Sequence, residues 1–120
     1  MSTPTNPTAY TELHTSDPAR ARAFYTELFG WKAEEEHTPA GDYTTFGTLL
    51  AGLTESRIPG FSVGWVPYFG VDDVKEATAR AKKLGGEILR DCVSIPPGTF
   101  SVVRDPTGAT VGLWQSSQSA

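Results

Sequence analysis

Polar and apolar side chains alternate along residues 9–15, the first patterned segment of the chain. Because successive side chains of a strand point to opposite faces, this alternation predicts a β-strand. One face of the strand carries Tyr10, Glu12 and His14. The other face carries Leu13 between two threonines, and we expect it to pack against a helix.

After this strand the apolar spacing changes to that of an amphipathic helix. Asp17 is the predicted N-cap, and Gly30 is the predicted left-handed C-cap. The apolar stripe of the helix consists of Ala21, Phe24, Tyr25, Leu28 and Phe29. We expect Phe24 and Leu28 to be buried against the outer face of the sheet, near Leu13.

The same pattern occurs twice, with equal spacing between its acidic start and its glycine end. The first copy runs from Asp17 to Gly30, and the second runs from Asp73 to Gly86. A short apolar run precedes each copy, and a matching apolar tail closes each half. An internal repeat of this kind predicts one structural unit that is used twice.

The second helix is predicted over residues 74–84, with an apolar stripe of Val74, Ala77, Ala81 and Leu84. Runs of β-branched and aromatic residues predict further strands over residues 43–49, 50–54, 65–71, 87–93, 99–104 and 109–115. Asp105 to Gly108 has the composition of a tight turn, and the acidic residues 33–37 are expected to be exposed. Strands thus outnumber helices about fourfold, which predicts an α+β fold of two βαβββ units, about residues 8–55 and 63–116.

At 120 residues the chain is long enough for a single domain with one shared core and too short for two independent cores. The net charge is −4 and the basic residues are scattered, so neither a nucleic-acid surface nor a membrane-binding patch is expected. The one cysteine, Cys92, cannot form an internal disulfide and is interpreted as a half-buried structural residue. A reducing, cytoplasmic location is therefore expected, since neither a membrane span nor a secretory signal is visible.

Two βαβββ units in one small domain, with the helix motif from Asp17 to Trp31 and the turn from Asp105 to Gly108, resemble the vicinal oxygen chelate superfamily. This group includes glyoxalase I, extradiol dioxygenases, fosfomycin-resistance enzymes and bleomycin-resistance proteins. The resemblance extends over residues 9–115. It implies that the two units pair into one curled mixed sheet, or cup, with the helices outside, and that the protein is a homodimer.

Metal-dependent members of this superfamily carry their ligands on the first and last strands of each unit. The resemblance places these positions at Tyr10, Gly52, Val66 and Gly112. A divalent cation needs several imidazole or carboxylate donors, whereas this set offers a single phenol. We therefore expect no metal site and no cofactor. One alternative is a metal displaced along the first strand to Glu12 and His14, for which the partner strand offers no second pair of donors.

Glu12 is the candidate acid/base residue, because it is an acid within an otherwise apolar strand. In a desolvated pocket its pKa would rise toward the range that is useful for proton transfer. The alternative is a structural carboxylate that is bonded to the backbone or to an arginine. His14 is interpreted as a rim histidine that bonds a backbone group, and His37 as a surface residue.

Aromatic side chains are abundant on the predicted cup face, and the glycines at positions 52 and 112 are expected to open space between them. The candidate ligand-binding residues are Tyr10, His14, Phe46, Gly52, Val66, Tyr68, Phe100, Gly112 and Trp114. Such a cup suits a flat, partly aromatic ligand. The alternative is that the same rings form ordinary core or pack at a dimer interface.

Three functional hypotheses remain open at this stage. The leading one is a metal-independent protein that binds a small, partly aromatic molecule, such as an antibiotic or a secondary metabolite, in its cup. The second is a lyase, isomerase or cyclase that uses Glu12 as acid/base, with Tyr10 or Tyr68 as a hydrogen-bond donor. The third is a structural or regulatory dimer with a filled cup. The sequence leaves open whether the protein is an enzyme.

Overall fold

The computed structural model describes residues 6–38, 41–46, 51–56, 58–61, 63–95 and 98–117. Within these ranges the chain forms eight strands and two helices, which confirms the predicted α+β fold of two βαβββ units. In chain order they are β1 (Thr8–Thr15), α1 (Pro18–Phe29), β2 (Ala33–Thr38), β3 (Gly41–Phe46), β4 (Ala51–Glu55), β5 (Gly64–Gly70), α2 (Val74–Lys83), β6 (Glu87–Ile95), β7 (Gly98–Arg104) and β8 (Thr110–Ser116).

Residues 10–66 form the first compact unit, whose strands lie in the order β2-β3-β4-β1. β1 and β4 are parallel, whereas β3 pairs with both β2 and β4 in antiparallel fashion. Paired residues share a face of the sheet, so Leu13 lies beside Leu53, and Phe46 lies beside Ala51. These four side chains form a buried hydrophobic core cluster of the unit.

The side of α1 that faces this core differs from the predicted apolar stripe. Ala21 and Tyr25 pack against the core cluster, whereas Phe24 and Leu28 are 58% and 57% exposed. The predicted burial of Phe24 and Leu28 near Leu13 is therefore wrong. Residues four apart lie above one another on a helix, so the Ala21–Tyr25 pair sets the inward direction and leaves its neighbours facing outward.

The ends of both helices follow the prediction. The Asp17 carboxylate accepts a hydrogen bond from the backbone N–H of Arg20 at 3.1 Å, and Asp73 accepts one from Glu76 at 3.1 Å. Gly30 ends α1 with φ of 70°, a conformation that glycine adopts without strain. Neither of the two helices in the described part of the chain is long and apolar enough to cross a membrane.

The second compact unit consists of residues from 67 onward together with the segment before Tyr10. Its strands lie in the order β5-β8-β7-β6, with β5 and β8 parallel and the other pairs antiparallel. The first residues of the described chain are tied to β5. The side-chain amide of Asn6 donates to the carbonyl of Gly70 at 2.7 Å, and the N–H of Gly70 donates to the carbonyl of Pro7 at 2.8 Å.

α2 also departs from its predicted stripe. Its buried side chains are those of Val74 and Thr78, whereas Leu84 is 67% exposed and lies just after the last helical residue. The Thr78 hydroxyl lies 2.7 Å from the Ser101 hydroxyl on β7, which satisfies both groups away from water. The inward face of α2 therefore carries the polar residue Thr78, bonded to Ser101, whereas the sequence pattern predicted only apolar residues there.

Most element boundaries differ from the prediction by a single residue, and three elements differ more. Residues 33–37 remain largely exposed, as expected, but they form the edge strand β2. The strand predicted over residues 43–49 begins at Gly41, and its residues 47–49 lie outside the described residues. β6 continues to Ile95 and contains register shifts, with Cys92 at φ of 48°. The turn at Asp105 is present, and its carboxylate accepts from the N–H of Thr107 at 2.8 Å.

Candidate functional site

Four polar side chains meet on the face of the first unit that points away from α1. Glu12 and His14 alternate along β1 with the core residue Leu13, so they lie on the opposite face. Tyr10 shares that face by the same alternation. Tyr43 reaches it from β3, where its neighbour Thr44 pairs with a core residue on the α1 side. We call Tyr10, Glu12, His14 and Tyr43 the polar cluster.

Glu12 is the centre of the polar cluster and is only 7% exposed. The hydroxyls of Tyr10 and Tyr43 are hydrogen-bonded to its carboxylate and to each other. Burial raises the pKa of both phenols well above the usual range, and the negative charge of Glu12 raises it further. Both phenols are therefore protonated hydrogen-bond donors at neutral pH.

His14 is more deeply buried than Glu12, with 4% of its surface exposed. Its Nε2 atom lies 2.7 Å from Oε1 of Glu12, but the oxygen lies off the direction of the ring N–H. The contact is thus close without being a well-directed hydrogen bond, and neither ring nitrogen has a hydrogen-bond partner among the described residues. The interpretation of His14 as a rim residue that bonds the backbone is wrong. Phe61 covers it edge to face, with ring centroids 6.1 Å apart.

The two glycines at the family ligand positions do not open space. Gly52 pairs with Glu12 across the parallel strands, and a Cβ atom on Gly52 would collide with the phenol of Tyr43. A Cβ atom on Gly112 would collide in the same way with the ring of Tyr68. The expectation of free volume at these positions is therefore wrong, because tyrosine rings lie directly over both α-carbons.

Sequence reasoning missed Tyr43, although it is a central member of the polar cluster. The register of β3 and β4 places Thr45 opposite Gly52, and Tyr43 is the next residue along β3 on the same face. The usable signal was the glycine itself, because a strand glycine often marks the close approach of a large neighbour. The register could not be read from the sequence, since it depends on the turn that joins the two strands.

In the second unit, four predicted site residues share the face that points away from α2. Tyr68 pairs with Gly112, and Phe100 pairs with Trp114. The ring of Tyr68 meets that of Phe100 edge to face, with centroids 6.0 Å apart. The ring of Trp114 lies over the α-carbon of Gly98. This aromatic face contains the Tyr68, Phe100, Gly112 and Trp114 of the prediction.

The last two predicted residues are placed differently. Phe46 lies on the α1 side of the first unit, where its ring centroid is 5.2 Å from that of Trp31, so it does not join the polar cluster. Val66 is fully buried, and its carbonyl accepts a hydrogen bond from the hydroxyl of Thr11 at 3.3 Å. His37 is a surface residue, as expected, and its Nδ1 atom lies 2.7 Å from the Asp42 carboxylate.

The residues at the four family ligand positions do not fit a divalent cation. They are Tyr10, Gly52, Val66 and Gly112. The phenol is already bonded to Glu12, the valine is apolar, and the two glycines are covered by aromatic rings. Within the described ranges, no three histidine, cysteine, aspartate or glutamate side chains are grouped so that they could hold a metal ion. Glu12 and His14 supply two donors, and a typical protein site for a divalent metal uses more.

An open cleft of the first unit lies elsewhere, beside the start of α1. It has a volume of about 530 Å³ and is lined by Arg22, Glu35 and Asp42, among others. Arg22 is paired there with Glu35, both partners being partly exposed. The chemistry of the polar cluster, rather than the size of this open cleft, identifies the candidate site, because exposed ion pairs of this kind are common surface features.

Comparisons with known proteins agree with the fold. The family model of the Glyoxalase/Bleomycin resistance protein/Dioxygenase superfamily matches residues 8–113. CFP32 of Mycobacterium bovis, a glyoxylase by provisional name, is 34% identical over an alignment of 118 positions, which covers 91% of this chain and 45% of that protein. The anthracycline biosynthesis protein DnrV of Streptomyces peucetius is 32% identical over an alignment of 126 positions, which covers 89% of this chain and 46% of that protein.

The chain therefore spans less than half the length of CFP32 and DnrV. Among solved structures, the hypothetical protein BH1468 from Bacillus halodurans superposes with a TM-score of 0.71, with 98% of this chain and 99% of that chain covered. Its sequence identity of 14% carries information about the fold alone.

Proposed function

The chain belongs to the Glyoxalase/Bleomycin resistance protein/Dioxygenase superfamily, and from this membership we propose that it is a metal-independent protein that binds a small, partly aromatic molecule. The polar cluster of the first unit is the proposed recognition site for the polar groups of that molecule. Taken by itself, the aromatic face of the second unit has a chemical character that suits flat apolar rings.

The observation that carries this proposal is the burial of Glu12 with His14, Tyr10 and Tyr43 around it. Burying a carboxylate and an imidazole in a small domain lowers stability, and apolar residues of the same size would often serve the fold better. Such a cluster is a candidate functional site, because perturbed ionisable groups concentrate where ligands bind. Two protonated phenols and an imidazole together offer both donors and acceptors to a ligand.

The names of two relatives support two different functions, namely binding of an aromatic ligand and catalysis. The name of DnrV assigns that protein to the biosynthesis of anthracyclines, which are polycyclic aromatic compounds. The name of CFP32 suggests a glyoxylase, and therefore catalysis. The alternative function is accordingly a lyase, isomerase or cyclase in which Glu12 acts as acid/base, its carboxylate held by the two phenols.

Metal independence is supported by the donor set at the family ligand positions. Its test is elemental analysis of the purified protein, together with ligand binding before and after chelation. We expect substoichiometric nickel, zinc, iron and manganese and unchanged binding. About one metal ion per chain, lost on chelation together with binding, would contradict this part of the proposal.

Binding itself is tested by thermal-shift and calorimetric titration with hydroxylated naphthalenes and anthraquinones. Tyr43→Phe removes one hydroxyl of the polar cluster, whereas Tyr25→Phe removes one on the α1 side and is the matched control. We expect Tyr43→Phe alone to weaken binding, on the order of tenfold for one lost hydrogen bond to a buried group. Equal affinities in both variants would place the ligand elsewhere.

Glu12→Gln separates the binding protein from the enzyme. The substitution is nearly isosteric, but the amide cannot take up a proton. If the protein only binds, the affinity should stay within a few-fold of the wild-type value. If it is an acid/base enzyme, turnover of a substrate identified from the binding screen should fall by roughly 10²–10⁴ while binding persists.

The proposal includes a homodimer. An exposed apolar patch on α1 supports it, because Phe24, Leu28 and Phe29 are all more than half exposed. This chain matches a little less than half of CFP32 and of DnrV, so each of them has a remaining part of about the same length as this chain. In a homodimer, a second copy of this chain would take the place of that part. The expected oligomer is a dimer with this patch in its interface.

A further inference from the structure

The imidazole of His14 is a buried polar group whose hydrogen-bonding capacity is unused. Its Nδ1 and Nε2 atoms are both inaccessible to solvent, and neither has a hydrogen-bond partner among the described residues. Buried polar groups in folded proteins are nearly always partnered, so each exception calls for an explanation. Glu12 lies against one side of the ring only, at its Nε2 atom.

The position of Glu12 assigns the tautomer of the neutral ring. A carboxylate oxygen at 2.7 Å from Nε2 favours the tautomer with the proton on Nε2, since the nearby negative charge attracts a proton there and repels a lone pair. The Nδ1 atom then carries a lone pair and is a hydrogen-bond acceptor. Its natural partner is an O–H or N–H donor that the described part of the chain does not provide.

We propose that Nδ1 of His14 is the acceptor subsite for a hydroxyl group of the ligand, and that the preferred ligands are therefore hydroxylated aromatic molecules of the phenol or naphthol class. This inference rests on the proposed function and makes it more specific. A ligand hydroxyl would satisfy the acceptor, whereas an ether or hydrogen at the same position would leave it unpartnered inside the complex. Discrimination of this kind is strong because a buried group without a partner is costly.

Phe61 packs against the ring that carries this acceptor. Its ring lies edge to face on His14 and also borders a second crevice, of about 390 Å³, next to Ile58 and Ser56. The segment that carries Phe61 is a tight turn, with Gly60 at φ of 74° and a hydrogen bond from the N–H of Phe61 to the carbonyl of Ile58. A ligand in this crevice would contact Phe61, whose ring lies against His14.

The test compares 2-naphthol with 2-methoxynaphthalene, which share a ring system and differ in the hydroxyl hydrogen. Binding is measured by calorimetry and by the ¹⁵N resonances of the imidazole rings. The chain has two histidines, so His37→Gln assigns the signals and is also the matched control at an exposed site. We expect 2-naphthol to bind on the order of tenfold more tightly and to shift the Nδ1 resonance of His14 upfield.

His14→Phe should remove this preference while binding of the methoxy compound continues. If the variant does not fold, the wild-type ¹⁵N spectra decide the question. Equal affinity of the two probes, or a preference without a shift of Nδ1, would overturn the inference and leave the proposed function standing. If neither probe binds the wild-type protein at millimolar concentration and the His14 resonances stay unchanged, the proposed function fails and the inference fails with it.

Discussion

The phenol of Tyr43 lies over the α-carbon of Gly52, in the space where any other residue would have its Cβ atom. Gly52→Ala must push this ring away and break its hydrogen bond to Glu12. We expect a loss of about 1–3 kcal/mol in the free energy of unfolding, as for other overpacked sites. Urea denaturation measures it.

A double-mutant cycle identifies the cause of that loss. In a Tyr43→Ala background the same Gly52→Ala change should lose less stability, with a coupling of about 0.5–3 kcal/mol. Gly70→Ala is the matched control, because the nearest atom to its Cβ position is 3.7 Å away. A Gly52→Ala variant as stable as Gly70→Ala would mean that the ring does not occupy this position.

The raised phenol pKa values of Tyr10 and Tyr43 predict a pH dependence of stability. In the unfolded chain these phenols ionise near a pKa of about 10, whereas in the folded protein they keep their protons to higher pH. Their contribution is therefore complete below about pH 10 and is lost as the pH rises further. Denaturant melts from pH 8 to 12 should show this fall, and a Tyr10→Phe/Tyr43→Phe variant should show a shallower one.

The exposed face of α1 predicts self-association through Leu28. Leu28→Asp places a charge in the proposed dimer interface and should lower the dimer fraction in sedimentation equilibrium. Leu84→Asp, after α2, changes a leucine that is also more than half exposed and is the control. A wild-type protein that is monomeric at every concentration tested, or equal effects of the two substitutions, would contradict the proposed interface.

The pKa of His37, a surface residue, predicts a second pH dependence of stability. Its hydrogen bond to the Asp42 carboxylate, and the charge of that carboxylate, raise the pKa of the imidazole above the usual 6.5. The stabilisation from this pair is complete below about pH 6.5 and is lost as the pH rises through the folded-state pKa. NMR titration should show the raised pKa in the wild-type protein and a return toward 6.5 in Asp42→Asn. An unchanged pKa in the variant would exclude the pairing.

The order of elements could be predicted because each signal is local. Asp17 and Asp73 cap their helices through hydrogen bonds to residues three positions on, and Gly30 ends α1 through its own backbone angle. Such features depend on neighbouring residues in the chain and need no knowledge of the tertiary structure. The βαβββ repeat was visible for the same reason.

The candidate site was less predictable because it depends on strand register and on packing. Phe46 lies on the α1 side because it pairs with Ala51. Gly52 is covered because the ring of Tyr43 lies over it. Both depend on the register between strands, which cannot be read from the sequence locally, even where a glycine such as Gly52 signals that a large neighbour is close. The burial of His14 was also invisible, because the alternation along β1 predicts its face but not the ring of Phe61 above it.

The hydrogen bonds that join Asn6 and Pro7 to Gly70 have a consequence for synthesis of the chain. During translation, the opening segment leaves the ribosome long before its partner strand exists. The second unit can therefore be completed only after the whole first βαβββ unit, from β1 to β4, has been made. A protein fragment that starts at Pro67 would lack Asn6 and Pro7 and therefore their hydrogen bonds to Gly70. Such a fragment is expected to expose an open strand edge and to aggregate.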